Sequence, residues 1–231
     1  GSRGLGDVYK RQEYHKSTYP FWAPSLSRIV IPYGIDNGIK KKRKNKAPKS
    51  TAIFTSNPLR DLEWLMKNWQ LKIYPNVKNA KLNLFTGIST YGDFGKKHSS
   101  KIEKILNIAE SLKNKGVNFN EPIKREDLFK KLNKARIFLY KGTYDETFCM
   151  AAAEAQALAI PAVVCDFGAM KERIIDNKTG YVCKNTEDFN SKAIKLLNDD
   201  KIWMRMHKNL LINDNHLRWS EIAKKWKKII N

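Results

Sequence analysis

Two carboxylates, Glu146 and Glu154, stand eight residues apart in "DETFCMAAAEAQALAIPAVV", residues 145–164. The stretch between and beside them is rich in alanine, which favours a helix. With Thr147 as N-cap, that helix is expected to start at Phe148 or Cys149. Glu154 would then sit about 1.5 turns inside, roughly 8 Å along the axis, and Glu146 just ahead of the first turn. The free N–H groups of a helix start attract phosphate, and carboxylates accept hydrogen bonds from hydroxyls. A ligand with a diphosphate between two hydroxyl-bearing ends, a nucleotide sugar, would satisfy all three features. The bland alternative is a loop glutamate beside a solvated helix glutamate. Against it, Glu154 has Ala151, Ala155 and Leu158 as its helical neighbours, and a carboxylate on that apolar face is costly unless paired.

The surrounding elements must place those groups. After residue 50, strand and helix patterns alternate: strands at 50–55, 80–87, 117–120, 136–140 and 161–165, with a helix over 60–74 whose Leu62, Leu65, Trp69 and Ile73 share a face. The loop "ISTYGDFGKKH" leads to a helix that Ser99 and Ser100 can cap and Gly116 ends, and "REDLFKKLNKA" and "AMKERIID" supply further helices. Short, continuously apolar strands alternating with helices predict an α/β fold: a Rossmann-like, doubly wound parallel sheet with helices on both faces, closed by C-terminal helices. Ligands of such sheets bind outside the carboxyl ends of the strands. The loops after Thr55, Phe85, Asn120, Tyr140 and Cys165 therefore form the expected functional edge.

Composition narrows the setting. The 231 residues carry 42% hydrophobic content, enough for a substantial core. No apolar run reaches the about 18 residues of a membrane span. Cys149, Cys165 and Cys183 show no metal-ligand or disulfide spacing, which fits a reducing cytoplasm. The net charge of +21 comes almost wholly from lysine spread along the chain. Lysine, asparagine and isoleucine all have A/T-rich codons, so genomic base composition competes with nucleic acid or anionic lipid as the cause. The run "NGIKKKRKNKAPKS", residues 37–50, reads as a solvated linker. Residues 1–12 read as a non-native scar, because they lack an initiator methionine and "DVYKRQ" resembles a translated sequencing adapter, as in a metagenomic fragment.

The ordered set "DETFCMAAAEAQALAIPAVVCDFGAMKERIIDNKTGYV" resembles the E-x7-E region of retaining, family 4 glycosyltransferases of the GT-B fold. Glu146, Phe148, Glu154, Ala155, Ala157, Pro161, Val163, Val164, Glu172, Ile174, Asp176, Gly180 and Tyr181 match its pattern. "IPYGID" resembles the turn into the family's donor domain, and "RWSEIAKKWKKII" its closing helix. The resemblance implies the C-terminal half of a GT-B fold, with Glu146 holding donor-sugar hydroxyls and Glu154 the ribose. It further implies phosphate contacts from the amides of Phe148, Cys149 and Met150 and from the Ser56–Asn57 turn, and a base-binding loop at Pro122 and Ile123. Arg60 takes the second basic position of the family's phosphate loop, so Arg60 and Glu146 are the expected catalytic pair. Asn57 replaces the first basic residue. Asp61, Cys149, Ile160 and Asn120 stand where glycines are expected. Lys141, in the Glu146 loop, is expected to be solvated.

The resemblance implies a donor of the nucleoside-diphosphate sugar class, no metal or other cofactor, and a saccharide or lipid-linked acceptor of bacterial glycan assembly. On this reading residues 13–49 are a remnant of an N-terminal acceptor domain with its linker, 50–200 the donor domain, and 201–231 helices that pack back on the missing domain. The isolated chain is expected to bind nucleotide and turn over poorly, in the cytoplasm or peripherally at the inner membrane face. His15, His98, His207 and His216 are given no catalytic role. Two rivals stay open: an epimerase or phosphorylase-like GT-B relative, and a non-catalytic basic module for nucleic acid or anionic membrane.

Overall fold

A computed structural model describes residues 7–88, 92–213 and 217–230. Residues 1–6 of the expected scar, Ser89–Tyr91 of the predicted loop and His216 lie outside them. The centre is a six-stranded, all-parallel sheet formed by β3 (Thr51–Phe54), β4 (Lys81–Phe85), β5 (Val117–Asn120), β6 (Ile137–Tyr140), β7 (Ala162–Cys165) and β8 (Gly180–Cys183). Its spatial order, β5-β4-β3-β6-β7-β8, reverses direction between β3 and β6. That reversal opens a crevice at the carboxyl ends, where the crossovers on either side diverge. Strands such as β6 and β7 are buried at every position, as sheets covered on both faces require.

The covering helices are α2 (Leu62–Asn68), α4 (Ser99–Ser111), α5 (Arg125–Leu132), α6 (Met150–Ala157), α7 (Met170–Arg173) and α8 (Thr186–Asn198). The predicted helix over 60–74 is not continuous. It widens at Trp69–Ile73 into a π-turn and tightens over Tyr74–Asn76, ahead of Val77. That shift keeps Trp69 and Ile73 in the core, with the indole N–H of Trp69 donating to the Lys115 carbonyl at 2.9 Å. A short helix, α3 (Gly92–Lys97), stands where the sequence reads as loop. Neither serine caps α4: His98 is its N-cap, with no side-chain bond to the helix.

Outside the sheet, β1 (Val8–Lys10) and β2 (Arg28–Val30) pair as parallel strands around α1 (Glu13–Ser17). The chain closes with α9 (Asp200–Ile212) and α10 (Trp219–Ile230). Helix α10 meets the N-terminal residues through Tyr9 against Trp226 and Tyr33 against Trp219. The basic run 37–50 forms no regular element, yet it is not simply solvated. Ile39 is buried, and the Lys44 amide donates to His207 Nε2 at 3.0 Å while its ammonium lies over Trp203. Partial burial lowers the Lys44 pKa to about 8. The long stem buries against the indole and keeps the backbone of the run in place. Among the described residues no helix is long and apolar enough to cross a membrane.

Candidate functional site

Helix α6 is the wall on which the site is built. Alanines at 152, 153, 155 and 157 are fully buried, so small side chains let the helix lie close to the strands that flank it. Gln156 fixes its far end by donating to the carbonyls of Ile160 and Thr179 at 3.0 and 3.1 Å. Its near end differs from the expected one. Thr147 does not cap it: that hydroxyl accepts from Arg11 at 3.3 Å. Cys149 is the N-cap, with a left-handed φ of 58°, and Glu146 Oε1 accepts from the Cys149 amide at 3.0 Å. A carboxylate at the positive end of the helix is favourable both as hydrogen-bond acceptor and against the helix dipole.

Left-handed backbone recurs at two of the four positions where the resemblance calls for glycine and next to a third, while Asn120, the last residue of β5, does not have it. Asp61 and Cys149 have φ of 58°. The third such residue is Ala159, also at 58°, and not Ile160, so the displaced glycine lies one position earlier than the sequence reading placed it. The backbone shape of the motif is kept, and residues with a Cβ bear the strain. Asp61 accepts from the Lys141 ammonium at 3.2 Å, and that lysine also lies over the rings of Trp64 and Phe167. Lys141 is therefore paired and three-quarters covered rather than solvated.

A cleft of about 720 Å³ opens at the reversal of strand order. It gathers Ser56, Asn57, Arg60, Pro122, Ile123, Glu146, Cys149, Met150 and Glu154 from three separate strand-end loops and α6. Of the residues expected in the site, only Phe148 faces elsewhere: its ring packs edge-on to Tyr33 and under the Arg173 guanidinium. The loop after Cys165 does not line the cleft but supports it, with the Ala169 amide donating to the Glu146 carbonyl at 2.9 Å. Gly168, with φ of 55°, sits where a Cβ would lie 2.4 Å from that carbonyl, so the close approach needs glycine.

Glu146 is held from two sides, by the Cys149 amide and by the Tyr140 hydroxyl, which donates to Oε2 at 2.7 Å. Burial pushes the Tyr140 phenol well above its usual range, so it serves as a fixed donor. Arg60 reaches across from the β3 loop and donates to Thr143 Oγ1 at 2.7 Å and to Asp145 at 2.9 Å. Burial opposes its charge, but the surrounding acidic groups, Glu146 and Asp145 among them, outweigh that and raise its pKa. The Asp145 carboxyl is lowered, first by a short hydrogen bond from Thr143 and also by Arg60. Because the Asp145 side chain is 74% exposed, this ion pair is weak, about 0–1 kcal/mol, and a phosphate can displace it.

Glu154 is buried, as the alanine-rich surroundings predict, and its pKa is raised by burial, with Arg125 drawing it back and Asp36 adding to the rise. Its partner is Arg125, which donates to Oε1 in a short contact. Sequence reasoning missed Arg125, Thr143 and Asp145. The available signal was a basic residue two positions after the expected base loop, Arg125 in "PIKRED". The amides available to a phosphate are those of Met150 and Ala151, since the Cys149 amide is taken by Glu146. Among the described residues no group of three His, Cys, Asp or Glu could hold a metal ion.

The family model described as glycosyl transferases group 1 matches residues 91–211. The chain belongs to that family. Among solved structures, it is similar to TarM from S. aureus, with a TM-score of 0.73 at 18% identity over 97% of this chain and 44% of that one. That structure is a mutant in complex with Fondaparinux, alpha-GlcNAc-glycerol and UDP. HepE from Anabaena, in complex with UDP and glucose, gives 0.77 at 13% identity over 96% and 62%. Sucrose-phosphate synthase from Thermosynechococcus elongatus gives 0.70 at 16% over 97% and 57%. At these identities the likeness is one of fold, that of GT-B glycosyltransferases. The chain spans between about two fifths and two thirds of the length of these structures. No curated protein sequence matches it.

Proposed function

We propose that the cleft binds a nucleoside-diphosphate sugar, and that the chain is the donor-binding half of a retaining, family 4-like glycosyltransferase whose acceptor is a saccharide or lipid-linked glycan. The observation that carries this is the placement of Arg60, the α6 N-terminus and two carboxylates around one crevice at the strand-order reversal. Glu154 takes ribose hydroxyls, and Pro122 with Ile123 covers the base. Ser56, Asn57, Arg60 and the amides of Met150 and Ala151 meet the diphosphate. Glu146, fixed by Tyr140 and the Cys149 amide, takes hydroxyls of the sugar.

In the reaction the bond between the anomeric carbon and the diphosphate breaks, and charge builds on the leaving phosphate. Arg60 is the group whose attraction grows in that step, once the phosphate draws it from exposed Asp145. The diphosphate charge is met by guanidinium and backbone N–H groups, so donor binding is expected to need no metal. The acceptor and the remaining catalytic groups come from a second domain, which makes the isolated chain a binder with little turnover. Any membrane contact is peripheral and electrostatic, through the lysine excess.

Calorimetric titration with UDP, GDP and ADP tests the reading, with UDP first because TarM and HepE were solved with it. One diphosphate should bind saturably, and Arg60→Ala and Glu154→Ala should each weaken it by roughly tenfold or more. Nucleotide affinity unaltered in both variants sinks the assignment. Tight, salt-dependent DNA binding without nucleotide binding would favour the basic-module reading instead.

A further inference from the structure

We propose that Arg125 is a positioning residue for the donor site: it occupies one oxygen of Glu154 and so presents the other, ionised, to the ribose. This rests on the donor-site reading above. Three elements converge at the carboxylate. Glu154 comes from the buried face of α6, Arg125 is the first residue of α5, and Asp36 lies in the segment after β2, with its carboxylate 3.8 Å from Arg125 Nε. The Glu154 side chain is only 7% exposed, while the Arg125 side chain is 51% exposed and lies over the Phe129 ring. Arg125 Nη2 donates to Oε1, and Oε2 has no protein partner among the described residues.

The asymmetry between the two oxygens carries the argument. A carboxylate this deeply covered would be neutral without a cation beside it. Neutral, it becomes a hydroxyl donor on one side and a weak acceptor on the other. Arg125 favours the charged, accepting form of a carboxylate that lines the cleft. The charged groups that act on it are Arg125 from α5 and Asp36 from the segment after β2, the first drawing its pKa down and the second pushing it up. Asp36 also faces the guanidinium, limiting how far Arg125 can turn away from Glu154.

The test is a ligand–variant cycle on the intact chain. The nucleotide bound most tightly among UDP, GDP and ADP is compared with its 2′,3′-dideoxy counterpart by calorimetry, against wild type, Arg125→Met and Arg125→Lys, from about pH 5 to about pH 8. Wild type should prefer the ribose form by roughly ten- to a hundredfold, the worth of a charge-assisted hydrogen bond. In Arg125→Met the preference should fall to within about threefold at the acid end and recover as pH rises and Glu154 ionises. Arg125→Lys should keep most of it. Carbon-13 NMR of the ligand-free proteins should place the Glu154 carboxyl pKa higher in Arg125→Met than in wild type. Equal losses for both ligands in Arg125→Met, or an unmoved Glu154 pKa, would overturn the inference and leave the donor site standing. Wild type that binds none of the three nucleotides would overturn both.

Discussion

Replacing Tyr140 with phenylalanine separates the scaffold of the site from its ligand chemistry. Tyr140 is fully buried at the end of β6, and its hydroxyl holds Glu146 Oε2 at 2.7 Å. A hydrogen bond to a charged group contributes about 1.5–3 kcal/mol. Two terms reduce the loss here: phenylalanine needs no partner, and Glu146 lines an open cleft where water can reach the released oxygen. The expected destabilisation is therefore about 1–2 kcal/mol. For a chain of 231 residues that lowers Tm by about 2–8 °C. The second tether, from the Cys149 amide, keeps the carboxylate in the cleft but no longer fixes its plane. Affinity for a nucleotide sugar should fall roughly tenfold while that for the bare nucleoside diphosphate changes less than about twofold. Calorimetry with both ligands, beside urea unfolding with m-values compared, reads the two effects. Unchanged stability would refute the tether argument. Equal weakening of both ligands would refute the placement of Glu146 at the sugar.

Three further outcomes follow from other parts of the fold. Ala159→Gly should stabilise the chain by about 0.5–1 kcal/mol in urea unfolding, because φ of 58° strains alanine and the side chain lost is one methyl group. Arg136→Met should cost about 2–4 kcal/mol in the same assay: the buried guanidinium donates to the carbonyls of Leu196 and Pro48 at 2.8 and 2.9 Å, so its loss strands those two acceptors, while its partner Asp200 is exposed to water. His207 is fully buried, bonded through Nδ1 to the Ala159 carbonyl at 2.7 Å, and burial lowers its pKa. At acid pH the unfolded chain then binds the extra proton. His207 stabilisation is thus complete above about pH 6.5 and declines as pH falls towards the lowered folded value, by at most about 1.4 kcal/mol per pH unit. A His207→Gln variant should lose that part of the slope in unfolding curves taken between pH 5 and pH 8 or so.

The sheet was legible because short strand-like runs alternate with helical stretches along the chain, and the strand-end rule then placed the cleft. Glu146 and Glu154 were legible because a carboxylate among alanines conflicts with its neighbours. Arg125 was not, since its partner lies 29 residues away and only the fold brings the start of α5 within side-chain reach of α6. Local rules also misplaced the helix cap: Thr147 has the better intrinsic preference, but Glu146 bonds the Cys149 amide and leaves Thr147 to Arg11. The lysine run read as solvated because periodicity does not register a single buried Ile39 or a stem lying along Trp203. The π-turn after Asn68 is set by where Trp69 must point, which propensity does not encode.

The N-terminal residues are fastened to the sheet domain by contacts far from the covalent connection. Glu172 of α7 accepts from the amides that begin α1, Glu13 at 3.0 Å and Tyr14 at 2.7 Å. The Tyr14 hydroxyl donates to the Tyr144 carbonyl at 2.6 Å, and Arg11 reaches Thr147. Tyr144 and Thr147 bracket Glu146 in sequence. A load applied to residues 7–36 thus enters the cleft loop directly, through Tyr14 and Arg11, as well as along the chain through residues 37–50. The loop that carries Glu146 is the short arm of that linkage, so its two flanks, Tyr144 and Thr147, are anchored to the N-terminal residues as well as to the sheet.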